Sequence, residues 1–353
     1  MTINIHQPIS TYEVKGQELE FLTPDDDISI LSLLMETPSS EGNLPPRHIP
    51  IVESEHKKKL ICVISKTELR LFKTPPREQL PIDELVKAGL KIDKLYDTVI
   101  ETNKKLIREA FPSYFKTDTP PGFSLYSDDD FINVFEALLK KDNQLKRQGT
   151  IPIISRSNGE VKSMYSYTDL LRLLLTNSAN DQFLNLPIST VTNTKVKTLC
   201  ITDSVTSAVA TYKDLPFNHF PLIRSDDGKS NQIDGFVDDV VLSTYNHNLI
   251  NRYARKITLR EIAQMSGRNG AVGEHNTISP NNTTIKDAIS KFISSKTDRP
   301  TAILVGDLGS AGGQVYCSMK GIISYVDILR KFLEFVNQSP AQVIAQPQVQ
   351  GEA

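Results

Sequence analysis

The sequence predicts a mixed α/β fold of the α+β kind, built from four copies of one small unit arranged as two pairs. Three observations predict it. A short apolar strand ending in Ser-x-x-Asp and running into an amphipathic helix occurs at 163–175 (SMYSYTDLLRLLL) and again at 321–333 (GIISYVDILRKFL). A β-type run, usually with an internal proline, precedes each such segment, and an apolar helix with a capping start precedes that run. A unit of this kind exposes one face of a small sheet and must bury it against a neighbour.

The Ser-x-x-Asp segments align residue by residue. Ser324 falls on Ser166, Tyr325 on Tyr167, Asp327 on Asp169, Leu329 on Leu171 and Arg330 on Arg172. Two weaker copies follow the same form. Residues 60–70 (LICVISKTELR) carry Ser65 and Glu68 at the polar positions, and residues 235–245 (GFVDDVVLSTY) carry Asp238 and Val241 there. The preceding runs are HIPIVE (48–53), TIPIIS (150–155), HFPLIR (219–224) and TAILVG (301–306), the last without its proline. Helices are expected over 25–35, 128–139, 203–212 and 282–293, where Asp, Ser and Asn can accept from first-turn N–H groups. A short strand opens each unit (LEFLTP, GFSLYS, TLCIT, NTISP), and Asn158-Gly159 marks a hairpin turn. The units span 15–75, 112–180, 184–247 and 248–335. Connecting helices are expected within 76–111 and after 244, and the Gln/Pro/Ala-rich stretch 336–353 reads as a disordered tail.

Composition narrows the function. Of 353 residues, 39% are hydrophobic and 23% charged, which supports a packed core. Trp is absent, so Ile, Leu and Val carry that core. A net charge of −2 points to neither nucleic acid nor an anionic membrane. Cys62, Cys200 and Cys317 lie far apart in apolar runs, without metal-ligand spacing; buried packing is their expected role. No secretory start and no apolar run of membrane length is visible, so a cytoplasmic or nuclear location is expected.

The succession of strand, helix, proline run and Ser-x-x-Asp helix resembles the CBS domain, which is used in tandem pairs called Bateman modules. Four repeats over residues 15–335 are similar to the gamma, regulatory subunit of AMP-activated/Snf1-type protein kinases. The fungal Sds23-type proteins share the layout without being core kinase subunits. The resemblance implies a pseudo-symmetric disc of two modules. It also implies a non-catalytic chain that binds AMP, ADP or ATP between paired repeats and modulates a Ser/Thr kinase complex. Kinase catalytic and scaffold subunits, or another signalling protein, would be its partners. The alternative is a CBS scaffold in stress or cell-cycle signalling with little nucleotide binding.

By the same resemblance, the acid of Ser-x-x-Asp grips the ribose hydroxyls. An ionised carboxylate accepts only, and it can take both O–H donors of a cis-diol. The matching positions are Asp169 and Asp327, with Glu68 as a longer substitute. Val241 cannot serve, so the third clamp is lost unless Asp238 or Asp239 replaces it. Ser65, Ser166 and Ser324 match ligand-facing hydroxyls. Arg47, His48, His219 and Arg299 match phosphate-binding positions, while Lys146 and Arg147 lie further upstream. Thr198 and Thr277 fall near the expected adenine contacts.

Each residue also has a structural reading. Ser-x-x-Asp before a helix is a capping pattern. Arg47 and His48 fit a solvated loop. His219 fits packing beside Phe217 and Phe220, and Tyr165, Tyr167 and Tyr325 fit a core. No motif for nucleophilic, metal or phosphoryl chemistry is present. GDLGSAGG (306–313) reads as a hairpin loop, and the Asp triplets at 25–27 and 128–130 as helix caps. Neither a metal nor a resident cofactor is expected.

Overall fold

The computed structural model describes residues 5–12, 19–36, 46, 48–66, 68–69, 105–115, 124–139, 149–212, 219–224, 232–238, 242, 258–265, 271–294, 302–311 and 313–338. Within them the four predicted units are present. The first contains α1 (Ile28–Glu36), β1 (His48–Val52) and β2 (Leu60–Ser65). A short helix α2 (Ile107–Ala110) follows, and then the second unit: β3 (Leu125–Tyr126), α3 (Ile132–Leu139), β4 (Thr150–Ile154), β5 (Val161–Ser166) and α4 (Tyr167–Thr176). A short helix α5 (Asp181–Leu184) leads to the third: β6 (Leu199–Cys200), α6 (Val205–Tyr212), β7 (His219–Ile223) and β8 (Gln232–Asp238). Helix α7 (Leu259–Met265) precedes the fourth: β9 (Thr277–Ile278), α8 (Ile285–Ser294), β10 (Ala302–Ala311), β11 (Gln314–Ser324) and α9 (Tyr325–Gln338).

The repetition extends to irregularities. Each unit pairs its proline-type strand antiparallel with the next strand, and each pairing is broken by a bulge at the same step. The bulges lie between Ile51 and Val52, Ile153 and Ile154, Leu222 and Ile223, and Val305 and Gly306. A bulge bends and twists its strand, so the four antiparallel strand pairs turn alike. The opening strand of each unit runs parallel to the proline strand, as a single bridge Leu22–Ile51 in the first and as β3–β4, β6–β7 and β9–β10 in the others.

Each unit is completed by the segment that leads into its partner. Residues 5–12 precede the first unit but dock on the second, where Ile9 N donates to Asp129 O (2.9 Å) and Ile132 N to Ile5 O (2.7 Å). The segment before the second unit docks on the first, with Ile107 N donating to Asp26 O (2.9 Å). In the other pair Ile188 N donates to Thr283 O (2.9 Å), and Leu259 N to Asp203 O (2.9 Å). Leading segments are thus exchanged within each pair, which ties two units into one module.

Two apolar seams close the pairs. Val52, Leu60, Val63, Ile154 and Val161 join the first two units, while Ile223, Ile233, Phe236, Ala302, Leu304, Cys317 and Ile322 join the last two. There β8 and β11 also share a sheet edge, at Ile233–Cys317. The largest core lies between modules, where α4, α8, α9 and α3 pack around Phe135, Phe183, Phe292 and Phe332. Phe135 and Phe332 rings stand 5.5 Å apart. Tyr165 is wholly buried with its hydroxyl donating to Tyr12 O (2.7 Å). All three cysteines are buried as expected, and burial pushes the Cys62 and Cys317 thiols up to about 12.

One expectation is corrected. GDLGSAGG is not a loop: residues 306–311 continue β10, and the turn comes at Gly313 (φ +77°). Gly306 is required by close approach, since a Cβ there would run into the Ser318 carbonyl oxygen and the Cys317 sulfur. The expected helices within 81–104, the connecting segment 243–257, the loop 266–270 and the tail from 339 onward lie outside the described residues; α9 itself extends to Gln338.

Candidate functional site

The strand register sets the site. It pairs the first residue of each proline-type strand with the Ser position of the following motif: His48 with Ser65, Thr150 with Ser166, His219 with Asp238 and Ala302 with Ser324. Directly paired residues point to the same sheet face. Each module therefore gathers two such couples at the junction of its units.

The acids of Ser-x-x-Asp form capping boxes. Asp169 Oδ2 accepts from Ser166 N (2.9 Å) and Ser166 Oγ (2.6 Å). Asp327 Oδ2 accepts from Ser324 N (2.8 Å) and Oγ (2.6 Å), and Glu68 Oε2 from Ser65 N (2.8 Å) and Oγ (2.7 Å). The capping reading therefore holds for all three. It occupies one carboxylate oxygen and leaves the other for a second partner. In Asp169 that oxygen, Oδ1, lies 3.6 Å from Arg172. In Asp327, Oδ1 accepts no hydrogen bond among the described residues.

In the first module the two units meet through a polar contact. His48 Nδ1 lies 2.7 Å from Thr150 Oγ1, and the Tyr167 hydroxyl donates to Leu138 O (2.7 Å). Burial raises the Tyr167 phenol above its usual range. Tyr167 and Tyr325 stack at 6.2 Å across the inter-module core, in line with their expected packing role.

In the second module a cleft of about 210 Å³ opens beside Asp327. One wall is the leading segment Thr190, Val191, Thr192 and Asn193; the other is the α9 face of Asp327, Arg330, Lys331 and Glu334. The segment is pinned to β11 by reciprocal backbone bonds between Asn193 and Ile322 (2.9 and 3.0 Å). Gly321 permits this approach, because a Cβ there would strike the Thr192 methyl. Lys331 is held by Glu334 (3.0 Å), while Arg330 has no carboxylate partner among the described residues.

His219 opens β7 in register with Asp238 and is not among the residues that line the cleft. Its ring stacks on Phe236 at 5.8 Å, a different aromatic from those the sequence suggested. Burial holds its imidazole below the ordinary range, while the charges of Asp238 and Asp327 pull the other way. The charge of Asp327 is felt at His219 across the boundary between the two units. Thr277 is buried on β9 and Thr198 precedes β6; neither lines the cleft. Arg47, Arg299, Lys146, Arg147, Phe217, Asp239 and Val241 lie outside the described residues.

Sequence reasoning missed the leading wall, the polar run TVTNT at 190–194. It also missed Arg330, Lys331 and Glu334 as lining residues. Their spacing of three, four and seven from Asp327 is one helical face and was the available signal. Among the described residues no group of His, Cys, Asp and Glu could hold a metal, and no helix is long and apolar enough to cross a membrane.

No family model matches the chain, and no curated protein matches it. Solved structures do. A Methanocaldococcus jannaschii protein described as a candidate archaeal homologue of g-AMPK is 16% identical, with a TM-score of 0.52 over 90% of this chain and 97% of that one. An uncharacterised conserved protein from Pyrococcus horikoshii is 13% identical, with a TM-score of 0.44 over 89% and 96%. CBSX2, solved with AMP, is 13% identical and covers 48% of this chain and 97% of its own, at a TM-score of 0.30. The likeness is one of fold: four CBS-type units paired into two modules.

Proposed function

We propose that the chain is a non-catalytic regulatory protein that binds an adenine nucleotide (AMP, ADP or ATP) and through it modulates a Ser/Thr protein kinase complex. The observation that carries the nucleotide part is Asp327. Its capping bonds use Oδ2 alone, and the residue stands at a cleft between the exchanged leading segment and α9. In this reading the remaining oxygen takes the ribose diol, Thr190 and Asn193 flank the nucleoside, and His219 faces the phosphate. The cleft is smaller than the roughly 300–1,000 Å³ of most preformed pockets, so a nucleotide fills it and extends toward His219. By the sequence resemblance, Asp169, Ser166, Glu68, Ser65 and His48 take the equivalent roles in the first module. Ligand binding biases the relation of the two modules only through different affinity for their arrangements. The kinase partnership rests on the sequence resemblance.

Titration calorimetry with AMP and ATP tests the reading. Saturable binding that weakens in Asp327→Ala is expected; absence of binding by either nucleotide at millimolar concentration refutes it. A second reading, a scaffold with few or no ligands, is favoured by the first module. There His48 is engaged by Thr150, and Asp169 stands beside Arg172. Recovery of a stable protein complex that contains no kinase and no nucleotide supports that version.

A further inference from the structure

The cleft beside Asp327 is lined by hydrogen-bonding and charged groups, not by a surface on which a base can lie. Among the described residues around it, Val191 alone is apolar and none is aromatic. A purine has two flat faces that gain from apolar or aromatic walls; a pentose and a phosphoryl group need neither. At about 210 Å³ the cleft is also smaller than sites that enclose a whole small ligand, so it holds part of one.

The ionic groups decide which part. Asp327 and Arg330 align with Asp169 and Arg172. Arg172 Nη1 lies 3.6 Å from Asp169 Oδ1, whereas Arg330 forms no ion pair with Asp327 or with any other described residue. Lys331 is engaged by Glu334 at 3.0 Å. The α9 face therefore offers one carboxylate oxygen and one unengaged guanidinium, three residues apart. Residues at that spacing have Cβ atoms about 5–6 Å apart, comparable to the span from the diol of a pentose to its phosphoryl group. The carboxylate accepts from the diol, and the guanidinium presents a planar donor fork to phosphate oxygens.

We propose that this cleft reads the sugar phosphate and not the base: it takes ribose 5-phosphate and nucleoside monophosphates alike, with Asp327 on the diol and Arg330 on the phosphoryl group. The inference rests on the nucleotide reading above and deepens it by naming the part of the nucleotide that is recognised. A site that hydrogen-bonds a base edge rejects the wrong base by orders of magnitude; a base left outside the cleft brings no such penalty.

The test is calorimetric titration of the full chain with AMP, GMP, CMP, ribose 5-phosphate and adenosine, repeated with Arg330→Gln. Arg330 is exposed and unpaired with any described carboxylate, so this substitution leaves the fold intact. The three nucleotides should bind within about threefold of one another and ribose 5-phosphate within about tenfold of them, with adenosine at least about tenfold weaker than AMP. Arg330→Gln should raise the Kd of every phosphorylated ligand about tenfold and leave that of adenosine unchanged. AMP binding about tenfold or more tightly than GMP and CMP overturns the inference, because the base is then read, and the nucleotide reading stands. An AMP affinity indifferent to Arg330→Gln, or equal to that of adenosine, overturns it as well. Failure of AMP to bind at millimolar concentration, with melting still cooperative, sinks both.

Discussion

Replacing Asp327 by alanine separates two roles that one carboxylate performs. The first is structural. Oδ2 accepts the Ser324 amide and hydroxyl at 2.8 and 2.6 Å, and losing such a cap costs about 1 kcal/mol. That corresponds to a melting shift of roughly 2–4 °C. The second is the proposed ribose contact. Charge-assisted hydrogen bonds contribute about 1.5–3 kcal/mol, so the Kd for AMP should rise roughly 10- to 150-fold at 1.4 kcal/mol per decade.

The fourth unit supplies its own control. Asp287 makes the same capping box on α8, accepting Thr284 N at 2.8 Å and Oγ1 at 2.7 Å, and it does not line the cleft. Asp287→Ala should therefore lower the melting temperature by a similar amount and leave the Kd for AMP unchanged. Thermal unfolding and calorimetry on the two variants read both quantities. If Asp327→Ala and Asp287→Ala give the same titration curve, the Asp327 carboxylate is a cap and nothing more, and the ribose reasoning is refuted.

Two further outcomes follow from the same geometry. Burial lowers the folded-state pKa of His219, so between that value and the unfolded value near 6.5 the unfolded chain binds more protons. Stability therefore rises with pH across this window and falls as pH drops through it. Urea unfolding from pH 5 to 7.5 should show that limb flattened in His219→Gln, and identical slopes in both proteins would contradict the assignment. Ile9 precedes the first unit but is wholly buried in the core shared by the second and fourth. Ile9→Ala should cost about 2–5 kcal/mol. Amide-exchange protection should fall in α3 and its neighbours, and a loss confined to β1 and β2 would disprove the exchange of leading segments.

How far the sequence spoke depended on whether a signal was local. The four units were legible because Ser-x-x-Asp, the proline runs and the capped helices are short-range patterns that repeat in order. The equivalent bulges at Ile51/Val52 and Ile153/Ile154 confirm the repetition without having been visible in it. The exchanged leaders were not legible. Ile5 and Ile9 dock on residues more than a hundred positions away, and nothing in so short a stretch has a period that names its partner. Gly306 was misread for a related reason. A glycine run looks like a turn locally, but this glycine is required by the neighbouring strand at Ser318.

The acids mark a deeper limit. A capping carboxylate and a ribose-gripping carboxylate are the same residue at the same offset from the same serine, so no pattern could choose between them, and Asp169 and Asp327 each accept from the amide and hydroxyl of their serine. What distinguishes them is the second oxygen and its surroundings. Arg172 stands beside Oδ1 of Asp169, whereas Asp327 stands at a cleft whose far wall is a backbone segment that only Gly321 allows to approach. Gly321 lies within the GIISYVD strand, three residues before the capping serine, and SMYSYTD has Ser163 in its place. The two motifs that align best in sequence thus differ at the residue that admits the cleft wall, and functional inequivalence between the modules should be sought there before it is sought in the acids.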